Sequence, residues 1–263
     1  MTAPAPAGTG RPPGTDPLRS GRRRSWIGWI ALPVVLALVL LVLRLYIGSQ
    51  ELDRIEARSL NAETIGRTLL RHVALTTVST VLVVAVAVPL GILLTRPFTR
   101  RYRGALLTVA NIAQAVPTIG LLALLAVAFF FLGFWAAVVG LVAYAVLPVL
   151  RNTMVGLEGV DAAVLEAGKG MGLSSTQVLR RLELPLAVPV ILAGIRTALV
   201  INVGTATLAA YINGGGLGTL IVAGFSTNRF LVSLTGAVLT AVLALLVDHL
   251  AGIAEDTLRP KGL

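Results

Sequence analysis

The chain has 263 residues, of which 56% are hydrophobic and only 13% charged, with no cysteine and a formal net charge of +10. A soluble domain carries roughly a quarter charged residues, so a mean hydropathy of +0.87 leaves lipid as the medium facing much of this surface. Disulfides, thiolate metal sites and cysteine nucleophiles are excluded, and a histidine metal centre has only His72 and His249 to draw on. The basic charge is better assigned to membrane topology than to nucleic acid, because aromatics are scarce and the bulk is apolar.

Residues 1–25 mix five prolines with Ala, Gly and Thr and end in Arg22, Arg23 and Arg24, a composition expected to be a disordered tail. Trp26 to Leu43 is uncharged over 18 residues and Arg44 lies close enough to the far end to snorkel, so 26–48 is expected as an uncleaved first transmembrane helix. The segment 49–71 carries four acidic and four basic residues and is expected outside the membrane. A second span runs from His72 to Leu94 and stops at the basic cluster Arg96, Arg100, Arg101 and Arg103. Gly104 to Leu150 is uncharged over 47 residues, enough for two spans with a turn near Leu132 to Phe134. Pro117 and Gly120 must bend or interrupt the first of that pair. Polar chain returns over 151–185, followed by a span at Leu186 to Ala210, a glycine-rich segment Asn213 to Gly218, and a last span from about Phe230 to Val247. The membrane-embedded core is thus expected over 72–250, with a short cytoplasmic tail at 251–263.

Counting Lys and Arg, the quantity that sets orientation over short loops, an inside N-terminus places 15 basic residues inside and 5 outside. The expectation is an all-α polytopic membrane protein with six transmembrane helices and both termini cytoplasmic. Matching broken helices in two halves would point to an ion-coupled carrier, and the interruption after Ala210 has only a weak counterpart near Pro117.

The loop 151–185 is the most informative. Asp161 is placed to cap a short helix, Gly168, Gly170 and Gly172 weaken and end it, and Ser174 with Gln177 forms a capping-box pattern for a second. Val178, Leu179 and Leu182 share one apolar face, Arg180 and Arg181 the other, and Pro185 starts the next span. Two short helices around a glycine elbow suit docking into a cytoplasmic partner, and an ordinary connecting loop is the other reading. Beyond it, Arg196 lies about 15 Å along the helix from Leu186, either an anchor near the headgroups or a pathway residue. Asn202, Thr205 and Thr207 add polar groups to the same span, open between packing and pathway lining, and Gly204 is expected to allow close helix contact. The adjacent Asp248 and His249 read as an interfacial boundary.

From Glu166 onward, Glu166-Ala167-Gly168, Gly172, Leu182, Leu184 and Pro185 resemble, at the right spacing throughout, the permease signature E-A-A-x3-G-x9-I-x-L-P of binding-protein-dependent ABC importers. Gly168 replaces the second Ala and Leu182 replaces Ile. The likeness extends over about 180 residues and is strongest to permeases for glycine betaine, carnitine and choline. It is carried by Ala115-Val116-Pro117-Thr118, by 147–153, by Gly156-Leu157-Glu158, by 193–198 and 202–210, and by Gly214 to Gly218. The resemblance implies the type I importer permease fold, in a multi-pass protein of the bacterial inner membrane.

It further implies a second permease subunit, the same or a related chain, two cytoplasmic ABC ATPases, and an extracytoplasmic substrate-binding protein. Glu166, Ala167, Gly168, Gly172, Val178, Leu179, Leu182, Leu184 and Pro185 would then couple to the ATPase, with the apolar face of Val178, Leu179 and Leu182 buried in its groove. No G-x-x-x-x-G-K-S/T loop occurs in the chain, so ATP and Mg belong to the partner and this chain binds no cofactor of its own. No aromatic cage for a quaternary ammonium can be assembled from Trp26, Trp29, Trp135 and the few Tyr and Phe residues, so cargo choice falls to the receptor. An ion-coupled secondary transporter and a non-transporting membrane anchor or assembly protein are the alternatives.

Overall fold

The computed structural model describes residues 26–258, which are helical apart from short turns. The expected disordered tail over 1–25 lies outside the described residues. The helices in chain order are α1 (Trp26–Gly48), α2 (Arg54–Ser59), α3 (Ala62–Leu94), α4 (Arg103–Ala115), α5 (Thr118–Ala128) and α6 (Phe134–Glu158). They continue with α7 (Ala162–Gly170), α8 (Ser175–Val178), α9 (Leu184–Thr205), α10 (Gly218–Ser226) and α11 (Phe230–Leu258). Among the described residues, five stretches are long and apolar enough to cross a membrane, and six if the bent pair α4–α5 is one broken span. That pair turns by 89° at Val116–Pro117, where proline withholds a helical donor and pushes the preceding residue toward extended backbone. Gly120, by contrast, sits inside α5 without breaking it.

Three boundaries differ from the sequence expectation. α3 begins at Ala62, ten residues before His72, so most of the supposed outer loop is helix. Asn61 caps it by accepting from the Thr64 N–H at 2.8 Å, and at 33 residues it is about 50 Å long, so its charged first turns stand clear of the hydrocarbon. The span placed at 186–210 is continuous with the preceding loop: a π-helical turn, Leu179–Glu183, leads straight into α9, whose second residue is Pro185. The final helix continues to Leu258, so only 259–263 of the expected tail falls outside the described residues. α10 was hidden in sequence because nine residues between two turns look like part of a loop. Its Leu220, with Leu217 before it, packs on Val232 of α11.

α3, α6 and α9 make the core. One cluster joins Leu75, Leu141 and Ala206, and a second joins Val83, Val149 and Ala198. Small residues set the approach: a Cβ on Gly91 would meet Thr153 at 2.7 Å, and one on Gly194 would meet Asn152 at 2.6 Å. Gly204, expected to serve this purpose, has nothing within 4 Å, so close packing rests on Gly194 instead. α1 lies apart, held on α11 where His249 Nε2 meets the Trp29 carbonyl at 3.0 Å.

Candidate functional site

The elbow is built from α7, the turn after it and α8. Asp161 accepts from the Ala163 N–H at 2.9 Å to start α7, and Ser174 and Gln177 form the reciprocal capping box that starts α8. Between them, the Leu173 N–H donates to the Gly168 carbonyl at 3.2 Å and the Gly172 N–H to that of Lys169 at 2.9 Å, a Schellman motif with Gly172 at the left-handed position, φ +83°. Gly170 ends α7 with ordinary φ and open space around it. The left-handed turn of the elbow therefore belongs to Gly172 rather than to Gly170.

The apolar residues of the elbow turn inward, contrary to the expected docking face. Val178 is 1% exposed, and Leu179 and Leu184 pack on Leu157, Ala187 and Ile191. Leu182 lies against Gly168, where an added Cβ would come within 2.5 Å of its Cδ1. These side chains have the elbow and the span as partners and are occupied before any subunit arrives. What faces outward is Glu166 and Ala167 of α7, with Val164 and, at the tip, Met171 at 75% exposure. Glu166 makes no hydrogen bond or ion pair among the described residues.

The two departures from the permease signature thus touch each other. Gly168 does not simply loosen α7, which runs through it; it makes room for the longer reach of Leu182. Gly168→Ala gains helix propensity of ~1 kcal/mol but forces Leu182 to move, whereas Leu182→Ile shortens that reach. The two substitutions should be non-additive by about 1 kcal/mol in chemical unfolding of the detergent-purified chain. Additivity within a few tenths would contradict this contact.

Two ion pairs brace the same end of the bundle. Arg96, just past α3, makes a two-pronged pair with Glu183 at the π-helical turn, its second nitrogen at 3.2 Å from Oε1, and the Glu183 side chain is only 11% exposed. Arg103, at the start of α4, pairs with Glu158 at the end of α6. Sequence spacing gave no sign of either pair, since each joins residues more than fifty positions apart.

Arg196 is engaged inside the chain. Its Nε and one terminal nitrogen reach the two oxygens of Asp248 at 2.6 and 2.8 Å, and Glu255 lies 3.5 Å away. Asp248 is about 27 Å along α11 from Phe230, near the rim expected of a ~30 Å hydrocarbon core, and the pair ties α9 to α11. Asn202 is fully buried and donates to the Thr80 hydroxyl of α3 at 3.0 Å. Thr205 and Thr207 bond the carbonyls of Ile201 and Gly204, each at 2.7 Å, satisfying their own helix. Each of the three side chains thus has a hydrogen-bond partner within the chain.

At the opposite end, the glycine segment folds back onto α3. His72, fully buried, accepts from the Leu217 N–H at Nδ1 (3.1 Å), which leaves Nε2 as donor to the Val203 carbonyl at 2.9 Å. Arg71 Nε donates to the Gly214 carbonyl at 3.1 Å. Close by in sequence, Asp53 caps α2 and meets Arg229 at 2.6 Å. The Glu56 N–H that it accepts, with the Arg229 guanidinium beside it, holds Asp53 below the usual carboxylate range. That tie persists above the usual range and is lost as pH falls through the lowered value.

Residues 87–260 match the family model described as binding-protein-dependent transport system inner membrane component. The chain is 41% identical over 192 residues to the choline transport system permease protein OpuBB of Bacillus subtilis, covering 73% of this chain and 87% of that protein. It is 42% identical over 191 residues to the carnitine transport permease protein OpuCD of Listeria monocytogenes, covering 72% and 84%. Over 212 residues it is 38% identical to the osmoprotectant import permease protein OsmY of Salmonella typhimurium, covering 81% and 88%. Among solved structures, an inward-facing MetNI methionine ABC transporter chain aligns with a TM-score of 0.66 at 25% identity, covering 74% of this chain and 95% of that one.

Proposed function

Because the chain belongs to the family of binding-protein-dependent transport system inner membrane components, we propose that it is the permease subunit of an ATP-driven importer of quaternary ammonium osmoprotectants. Glycine betaine, choline or carnitine is the cargo. Members of this family are translocation components rather than enzymes, and the chain is a multi-pass membrane protein. It works in the bacterial inner membrane with both termini cytoplasmic, beside a second permease subunit of the same or a related chain. Two ABC ATPases, which use the ATP and Mg, dock on the cytoplasmic elbows, and an extracytoplasmic receptor delivers cargo.

The observation that carries the docking assignment is the elbow itself. A rigid Schellman turn presents Met171, Val164 and an unpaired Glu166 outward, an apolar knob beside one carboxylate able to make a charge-assisted hydrogen bond. Its inner face is held within the elbow by Leu182 against Gly168 and joined to α6 and α9 through Leu179 and Leu184, so a push on the knob moves the span. Reconstitution into liposomes tests the function: uptake of labelled glycine betaine or choline should require the ATPase, the receptor and ATP together. Uptake driven by an ion gradient through the chain alone would overturn it.

A further inference from the structure

We propose that Arg67 and Arg71, with the backbone of Gly215 and Gly216, form a site for the carboxylate end of a zwitterionic cargo at the outer mouth of the permease. This rests on the importer reading above and deepens it. A cavity of about 630 Å³ opens between the outer turns of α3 and the glycine segment, lined by both arginines, Thr68, Thr219 and the two glycines. Among the described residues, no carboxylate lines it. Arg67 and Arg71 stand one turn apart on the same face of α3, where like charges repel. Arg67 has no hydrogen-bond or ion-pair partner among the described residues.

Arg71 commits only Nε, to the Gly214 carbonyl, and lies over the Phe134 ring at 4.3 Å, which leaves its two terminal nitrogens without hydrogen-bond partners among the described residues. The N–H groups of Gly215 and Gly216 likewise donate no hydrogen bond within the described residues. Both glycines have positive φ, +85° and +92°. A Cβ on Gly215 would crowd Arg71 at 2.9 Å, and one on Gly216 would crowd His72 at the same distance, so the bare backbone is what fits beside these side chains.

Two uncompensated guanidiniums and two idle amides beside this cavity recognise an anion of carboxylate size. They repel a trimethylammonium group, and the face of Phe134 is already covered by Arg71. The site therefore accepts glycine betaine or carnitine by the carboxylate and gives choline nothing to hold.

The test uses the complete transporter in liposomes with Arg67→Gln, chosen because Arg71 also holds the glycine segment in place. Loss of one charge-assisted contact should lower the ratio of glycine betaine to choline uptake at subsaturating cargo by about tenfold, and Arg67→Lys should restore most of it. An unchanged ratio overturns the site. So does an equal loss for both cargoes at limiting receptor, which would assign the arginines to carboxylates of the receptor. If the wild-type complex moves neither cargo, the importer reading falls and the site is judged alone. Acetate is then titrated into the purified chain carrying Trp26→Phe and Trp29→Phe, with Trp135, edge-on to Phe134 at 5.4 Å, as the reporter. Saturable quenching that Arg67→Gln abolishes supports the site, and its absence overturns it.

Discussion

Replacing Arg196 with Met should destabilise the folded chain by about 2–3 kcal/mol and sharply reduce the yield of folded protein. The guanidinium holds Asp248 through two parallel hydrogen bonds and has Glu255 at 3.5 Å. Removing it leaves two carboxylates on α11 facing a gap at the rim of the hydrocarbon, where an uncompensated charge costs more than the pair gained. Two further variants separate charge from geometry. Arg196→Lys keeps the field but supplies one ammonium where the carboxylate expects a fork, so it should recover only part of the loss. Arg196→Met combined with Asp248→Leu removes the orphaned partner and should recover more than Lys does. Thermal unfolding in detergent, read by loss of monodisperse protein, ranks the three, and a double variant no better than Arg196→Met alone would refute the pairing as the cause.

Glu183→Ala should cut ATP-driven uptake more than tenfold while leaving the ATPase bound. Glu183 sits where the π-helical turn becomes α9, and among the described residues its nearly buried carboxylate is the one that Arg96 meets. A displacement of the elbow reaches α9 through the continuous helix, and it reaches α3 through this pair. Without the carboxylate the elbow still presents Met171 and Glu166, so assembly survives, but α3 is no longer drawn along. Breaking a buried charge pair also costs ~3 kcal/mol of stability, so stability alone is a poor readout. The informative numbers are uptake and ATP hydrolysis measured on the same vesicles, with hydrolysis retained. The exchange Arg96→Glu with Glu183→Arg should restore part of the uptake. Unchanged uptake, or loss of the ATPase from the complex, would contradict this route.

Much of the architecture was legible in the sequence because burial in lipid leaves a direct mark. Uncharged runs gave the spans, Pro117 gave the bend, and Asp161 and Ser174 gave the starts of the two elbow helices through local capping that no distant residue can alter. What escaped was decided by partners far along the chain. The first turns of α3 carry Glu63, Arg67 and Arg71, which look like loop until the length of the helix lifts them clear of the hydrocarbon. Val178, Leu179 and Leu182 share an apolar face, as their spacing indicated, but periodicity says nothing of what that face meets, and Leu157 and Gly168 claim it. Arg196 and Asp248 each drew attention alone, and only the packing of α9 on α11 joins them. His72 read as the edge of a span and is instead the buried bridge between α3, α9 and the glycine segment.

The docking of the elbow is most directly tested by cross-linking, for which the chain is well suited because it contains no cysteine. Met171→Cys, placed at the exposed tip, should cross-link to the ATPase subunit in the assembled transporter and be shielded there from a membrane-impermeant maleimide. Labelling of that position from the outer face of intact cells, or full labelling in the assembled complex with no cross-link, would contradict the account.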